Sequence, residues 1–174
     1  MVVGNDEALL GCIRHITTTA RVGTEYDFDM VGFNYRMTNV QAAIGCAQME
    51  RLDTFVARKK EIHGFYESEL SDVSGLSFFP VTEGTTCWYS GIVLEKGCLD
   101  DVRRICSGLR EQDVESRPFW KPVHMQKPYH DVLRQDLNRA ESIWQRIVTL
   151  PCSTGITDEE LYTVARAVKG VLSM

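Results

Sequence analysis

Gly32-Phe-Asn-Tyr-Arg-Met-Thr-Asn-Val-Gln-Ala-Ala-Ile-Gly45 is the stretch on which the reading of the fold turns. Within it Thr38-Asn-Val-Gln41 fits a capping box. The threonine hydroxyl serves the amide three residues on, and the glutamine side chain reaches back. Behind this start Val40, Ile44, Ala47, Leu52, Phe55, Val56, Ile62, Tyr66 and Leu70 recur at three- and four-residue steps, the strongest helix signal in the chain. The run exceeds a typical globular helix, so a kink or break is expected inside it. Gly45 costs roughly 1 kcal/mol against alanine there, which close approach of another element would offset. A helix N-terminus presents free amides and partial positive charge. With Asn34 and Arg36 just ahead, it suits a phosphate or carboxylate. The competing reading is a capped helix with Arg36 in a structural salt bridge.

Upstream, Met1-Val-Val-Gly-Asn-Asp6 reads as the tail of a strand and a turn, so the chain is expected to begin in the middle of something. Asn5 or Asp6 can cap a helix with Ala8, Leu9, Leu10, Ile13 and Ile16 on its apolar side. Thr17 to Arg36 reads as an ordered, functional loop without its own core. Downstream, the pattern changes around Ser71 to Gly75, which suggests a domain boundary and two parts, 1–71 and 72–174. Strands are expected over Leu76–Pro80, Thr86–Leu94 and Val114–Phe119, and helices from Asp100 or Asp101, over Asn138–Ile147, and behind a second capping box at Thr157-Asp-Glu-Glu160. In the second strand Trp88, Ser90, Ile92 and Leu94 share one face. Helices alternating with short strands fit a small α/β layer.

Composition narrows the function classes. The 174 residues carry a net charge of −5 with 44% hydrophobic and 25% charged residues, which argues against disorder and against a general nucleic-acid binder. No apolar run approaches a membrane span and the start is no signal peptide, so a cytoplasmic protein without membrane partner is expected. The six cysteines lack a C-x-x-C pair and read as reduced thiols, mostly acting as small apolar residues. Glycine-rich phosphate loops, HExxH and GxSxG are absent. His124 and His130 do not share a helical face, so no metal site is expected. Arg117-Pro-Phe-Trp-Lys-Pro-Val-His124 sets cations and aromatic rings on a proline-stiffened segment, a mixture that fits a nucleotide-like ligand. The alternative is a loop packed over the core with solvated charged ends.

Taken together, the Gly32–Gly45 stretch, Gln48-Met-Glu-Arg-Leu-Asp53, Arg58-Lys-Lys60, Trp88, Arg117–Gln126, Leu150-Pro-Cys-Ser153 and Thr157–Glu160 resemble the DegT/DnrJ/StrS-type aminotransferases. These PLP-dependent enzymes aminate nucleotide-linked keto-sugars. The resemblance covers essentially the whole chain. It implies an α/β fold, the C-terminal part of a fold-type I PLP aminotransferase: the end of the large domain, a long connecting helix and the small α/β C-terminal domain. It also implies a homodimer, a nucleotide-sugar substrate, often a 4-keto-6-deoxy sugar, and glutamate as amino donor. Asn34 would reach the PLP phosphate across the dimer. Arg36, Trp88, Arg117, Trp120, Lys121 and His124 would meet substrate.

The family's Ser-Phe-x-x-x-Lys motif, its aspartate for the pyridine nitrogen and its ring-stacking aromatic find no match. Lys59, Lys60, Lys96, Lys121, Lys127 and Lys169 occupy none of those positions. No catalytic residue is therefore assigned, and the chain alone is expected to be inactive. A non-catalytic dimerisation or nucleotide-sugar-binding module is the alternative, and an unrelated small nucleotide-binding domain ranks below both.

Overall fold

The computed structural model describes residues 2–173. The chain divides into two compact units, Met1–Arg51 and Leu52–Met174, ahead of the 71/72 boundary that the sequence pattern suggested.

In the first unit, α1 (Glu7–Thr17) starts where Asp6 Oδ1 accepts from the Leu9 amide at 2.9 Å. It ends where the Thr17 and Thr18 hydroxyls turn back onto the carbonyls of Ile13 and Arg14, competing with the backbone ladder. Thr19 and Ala20 then take left-handed conformations, φ 72° and 53°. That reversal feeds a two-stranded antiparallel hairpin, β1 (Arg21–Val22) and β2 (Asp27–Phe28). The expected loop is thus a short hairpin followed by a return segment that meets Thr18 in a single bridge at Asn34. Gly32 passes so close to Thr19 that a Cβ would lie 2.3 Å from its carbonyl carbon, so glycine is required there. α2 (Asn39–Glu50) opens on the expected capping box at Thr38. The long helix does break, at Arg51, whose amide bonds the Gln48 carbonyl instead of continuing the ladder. Gly45 has open space around it, so close packing does not explain that residue. Val2 to Gly4 form no strand, and Met1 lies outside the described residues.

The second unit is a four-stranded antiparallel sheet, order β3-β4-β6-β5, with helices packed on it. In chain order the elements are α3 (Leu52–Glu69), β3 (Leu76–Phe78), β4 (Ser90–Leu94), α4 (Leu99–Arg110), β5 (Arg117–Pro118), α5 (Asn138–Ile143), β6 (Ile147–Leu150) and α6 (Asp158–Leu172). Ile62, Tyr66 and Leu70 of α3 pack with Ile92 and Leu94 of β4, Val148 and Leu150 of β6, Leu109 of α4 and Val168 of α6 in one core. Alternate residues of β4 and β6 point to that face, as a pleated strand dictates. Gly91 belongs to the central pair because a Cβ would meet the Val148 carbonyl oxygen at 2.4 Å. Tyr66 donates from its phenol to the Pro151 carbonyl at 2.7 Å, and burial pushes that phenol's pKa upward. Arg58 ties α3 to the start of α6, donating to Ile156 O at 2.8 Å and Asp158 Oδ1 at 2.9 Å.

Four local expectations are corrected. The strand expected over Thr86–Leu94 shortens to β4, because Cys87 adopts a left-handed φ of 50° that ends extended backbone. Trp88 accordingly leaves the strand face and is 70% exposed. The strand expected over Val114–Phe119 reduces to β5: Pro118 has no amide to donate, which suits an edge position. Ile147 is not the end of a helix but the start of β6. Cysteines are small core residues at Cys87, Cys106 and Cys152 only; Cys12, Cys46 and Cys98 are exposed. Among the described residues no helix is long and apolar enough to cross a membrane.

Candidate functional site

The second unit carries a ladder of aromatic rings beside the ends of β4 and β5. Trp88 lies 4.7 Å from Tyr89, centroid to centroid, and Tyr89 meets Trp120 edge-on at 4.6 Å. Trp120 contacts Phe119 at 5.0 Å, and Phe119 reaches Phe79 at 5.9 Å. Sequence explains the placement. The left-handed Cys87 delivers Trp88 and Tyr89 to the sheet end, and Pro118 and Pro122 stiffen the segment that brings Phe119 and Trp120 alongside. The Phe119 amide donates to Ile147 O at 3.2 Å and Thr149 Oγ1 donates to Arg117 O at 3.0 Å, which anchors the segment to β6.

Tyr89 and Trp120 form one wall of an open cleft of about 650 Å³. Arg117, Pro151, Ser153 and Glu160 continue its lining. The Glu160 carboxylate is committed to the α6 capping box, accepting from the Thr157 amide at 2.8 Å and hydroxyl at 2.9 Å. Those bonds hold its pKa below the usual carboxylate range. Arg117 pairs with Glu115, Nε to Oε1 3.2 Å, and the pairing raises the guanidinium pKa and lowers the carboxyl's. Both side chains are mostly exposed. The arrangement offers aromatic ring surfaces suited to a flat or sugar-like group, beside Arg117, whose guanidinium is shared with Glu115.

The sequence-derived residues distribute unevenly. Arg117 and Trp120 line this cleft. Trp88 connects to it through Tyr89 and lines a separate crevice of about 220 Å³ with His63, Cys87 and Phe119. Lys121 is exposed next to Trp120, and its carbonyl accepts from Gln126 Nε2 at 3.2 Å. His124 turns away from the cleft: its Nε2 lies 2.8 Å from Glu141 Oε1 and its side chain is 9% exposed. His130 faces Asp131 at 3.2 Å, so the two histidines do not converge on one point. Among the described residues no three or more His, Cys, Asp or Glu side chains gather in a metal-binding group.

Asn34 and Arg36 belong to the first unit. Asn34 pairs with Thr18 in an isolated antiparallel bridge, flanked by Phe33 N to Ile16 O at 2.7 Å and Tyr35 N to Thr17 O at 3.0 Å. Its backbone is fixed while its side chain is exposed. Arg36 is exposed and makes no ion pair among the described residues, which weakens the salt-bridge alternative. Tyr89, Ser153 and Lys59 were not among the expected site residues, although Lys59 and Ser153 lie in the Arg58-Lys-Lys60 and Leu150-Pro-Cys-Ser153 motifs. The only hint of Tyr89 was its place beside Trp88, and nothing local marks Ser153 as cleft-lining.

Comparison with known proteins places this geometry in a class. A family model for the DegT/DnrJ/EryC1/StrS aminotransferases matches residues 1–169. A GDP-perosamine synthase of Caulobacter vibrioides is 32% identical over 99% of this chain and 47% of its own length. PseC of Helicobacter pylori, an aminotransferase involved in the biosynthesis of pseudoaminic acid, superposes with a TM-score of 0.79 at 16% identity over 97% of this chain and 47% of its own. A Streptococcus pneumoniae protein solved in its PMP form gives 0.77 at 21% identity, over 97% and 46%.

The chain belongs to the DegT/DnrJ/EryC1/StrS aminotransferase family. Its fold is the corresponding part of a fold-type I PLP aminotransferase. The chain spans about half the length of the curated relatives it matches.

Proposed function

We propose that this chain is the C-terminal portion of a cytoplasmic, homodimeric PLP-dependent aminotransferase that moves an amino group from glutamate to a nucleotide-linked keto-sugar, of the 4-keto-6-deoxy class. Residues 1–71 then correspond to the end of the large domain with its connecting helix, and 72–174 to the small domain. The observation that carries the reading is the cleft. A member of this family displays Tyr89 and Trp120 beside Arg117 at one sheet end. In this assignment the rings stack on the nucleotide sugar, Arg117 and Lys121 answer its diphosphate, and Trp88 extends the stacking surface. His124, held by Glu141, orders the segment from within.

The residues fit the cofactor only at its phosphate end. Asn34 offers an exposed amide on a fixed backbone, and Arg36 an unpaired cation nearby in sequence. The unit that carries them, Met1–Arg51, contains no lysine. In the other unit Lys59 is engaged by backbone carbonyls and Lys169 by Asp72. Bound PLP supplies the electron sink for amino transfer, and no step of that chemistry is assigned to this chain alone. The second reading, a non-catalytic nucleotide-sugar-binding or dimerisation module, is favoured by one observation: the lining of the cleft belongs wholly to a unit that owns its core.

Titration of the chain with GDP-mannose and dTDP-glucose tests the cleft. Trp120→Ala and Arg117→Ala each weaken binding by roughly tenfold, the size of a lost stacking or charge-assisted contact. PLP followed by borohydride leaves no specific lysine adduct on this chain. A longer polypeptide containing the chain that shows no glutamate-dependent amination of any keto-sugar nucleotide ends the aminotransferase reading.

A further inference from the structure

Lys59 projects from α3 to the far side of the cleft walls. Its Nζ donates to the Trp88 carbonyl at 2.9 Å and to the Cys152 carbonyl at 2.6 Å, and lies 3.5 Å from Cys152 Sγ. These two carbonyls belong to different strand ends. Trp88 precedes Tyr89 at the entry of β4, and Cys152 precedes Ser153 at the exit of β6. Tyr89 and Ser153 both line the cleft. The left-handed Cys87 leaves the strand ladder before Trp88, so no named strand pairing holds that carbonyl; its other contact is the weak Cys152 thiol donor, at 3.7 Å. Cys152 likewise lies beyond the last ladder pair, Ser90 with Leu150. Two turns further along α3, Tyr66 holds the adjoining Pro151 carbonyl at 2.7 Å. An ammonium is a compact cation with three donors, able to bind two carbonyls that have no amide partner of their own.

We propose that Lys59 is a positioning residue of the cleft: by holding the Trp88 and Cys152 carbonyls together it sets the spacing between the Tyr89–Trp120 wall and the Pro151–Ser153 wall. The inference rests on reading that cleft as the nucleotide-sugar face. Lys59 touches no substrate in it and acts through the two backbone segments. Lys59→Met keeps the aliphatic stem and loses both bonds. Lys59→Arg keeps a cationic donor and retains part of the function.

The test combines NMR with binding on the whole chain. In the unaltered protein, the Lys59 ammonium protons exchange with water more slowly than those of the exposed Lys60. In Lys59→Met, the amide signals of Tyr89 and Ser153, each joined to an affected carbonyl, move together with the Trp120 indole signal. Lys59→Arg moves them less, and Lys60→Met leaves them in place. Binding of GDP-mannose or dTDP-glucose falls roughly tenfold in Lys59→Met and recovers in Lys59→Arg. Fast exchange at Lys59, unmoved Tyr89 and Ser153 signals, or unchanged sugar-nucleotide affinity in a folded Lys59→Met overturns the proposal. If Lys59→Met does not fold, the exchange rate in the unaltered chain and the Lys59→Arg spectrum decide. Failure of the unaltered chain to bind either sugar nucleotide counts against the cleft reading instead, and the amide shifts still decide whether Lys59 holds the walls.

Discussion

The two units solve the problem of stability in opposite ways. Leu52–Met174 buries a continuous core drawn from three helices and two central strands. Met1–Arg51 buries a single hydrophobic residue, Ala20, among its described residues, and exposes Val31, Phe33, Tyr35, Met37, Val40 and Ile44. What organises the first unit is directional: a cap at Asp6, a hairpin, the Thr18–Asn34 bridge and the box at Thr38. Hydrogen bonds of this kind contribute little net stability each, while apolar burial supplies most of the driving force for folding. A residue in the two units therefore carries different weight even when its local chemistry is identical.

The largest expected contrast is in apolar truncation. Leu109→Ala, at a fully buried site, lowers the unfolding free energy by about 2–5 kcal/mol, while Ile44→Ala stays within about 0.5 kcal/mol. Urea denaturation of both variants measures this; equal costs would break the distinction. Gly91→Ala comes next. Its Cβ would collide with the Val148 carbonyl, so β4 and β6 must separate, whereas Gly45→Ala meets open space and stabilises its helix by up to roughly 1 kcal/mol.

A sharper comparison uses the same motif twice. Thr157→Ala lowers the global unfolding free energy by about 1 kcal/mol and moves the midpoint with it, because α6 belongs to the core. Thr38→Ala loosens only α2, seen as faster amide exchange there without a shift of the midpoint. The smallest effect is in pH. Folding depresses the Glu160 pKa, chiefly through the Thr157 amide bond, so its contribution is full above the ordinary glutamate pKa of about 4.3 and fades as pH falls through the lower folded value. Acid titration of Glu160→Gln shows a shallower loss over that window, and an unchanged slope removes the carboxylate from the account.

Much of this was legible because it is local. Both capping boxes, the start of α1, the break in the long helix and the final amphipathic helix are written in neighbouring residues. The cleft was half legible: Arg117 and Trp120 announced themselves as a charged and aromatic pair on a proline-stiffened segment. Tyr89 and Ser153 did not, because they reach the cleft only through strand pairing between Ser90 and Leu150. His124 looked like a site group and instead meets Glu141, a partner 17 positions away that no spacing rule selects. Trp88 was misplaced on a strand face because a left-handed cysteine leaves no signature in the sequence.

The aromatic ladder makes the molecule optically lopsided. All three tryptophans, Trp88, Trp120 and Trp144, belong to the second unit, and two of them are exposed rungs of the ladder. Two of the three emitters therefore stand on or beside the cleft wall, so tryptophan emission reports on that wall, and Met1–Arg51 contributes no tryptophan of its own.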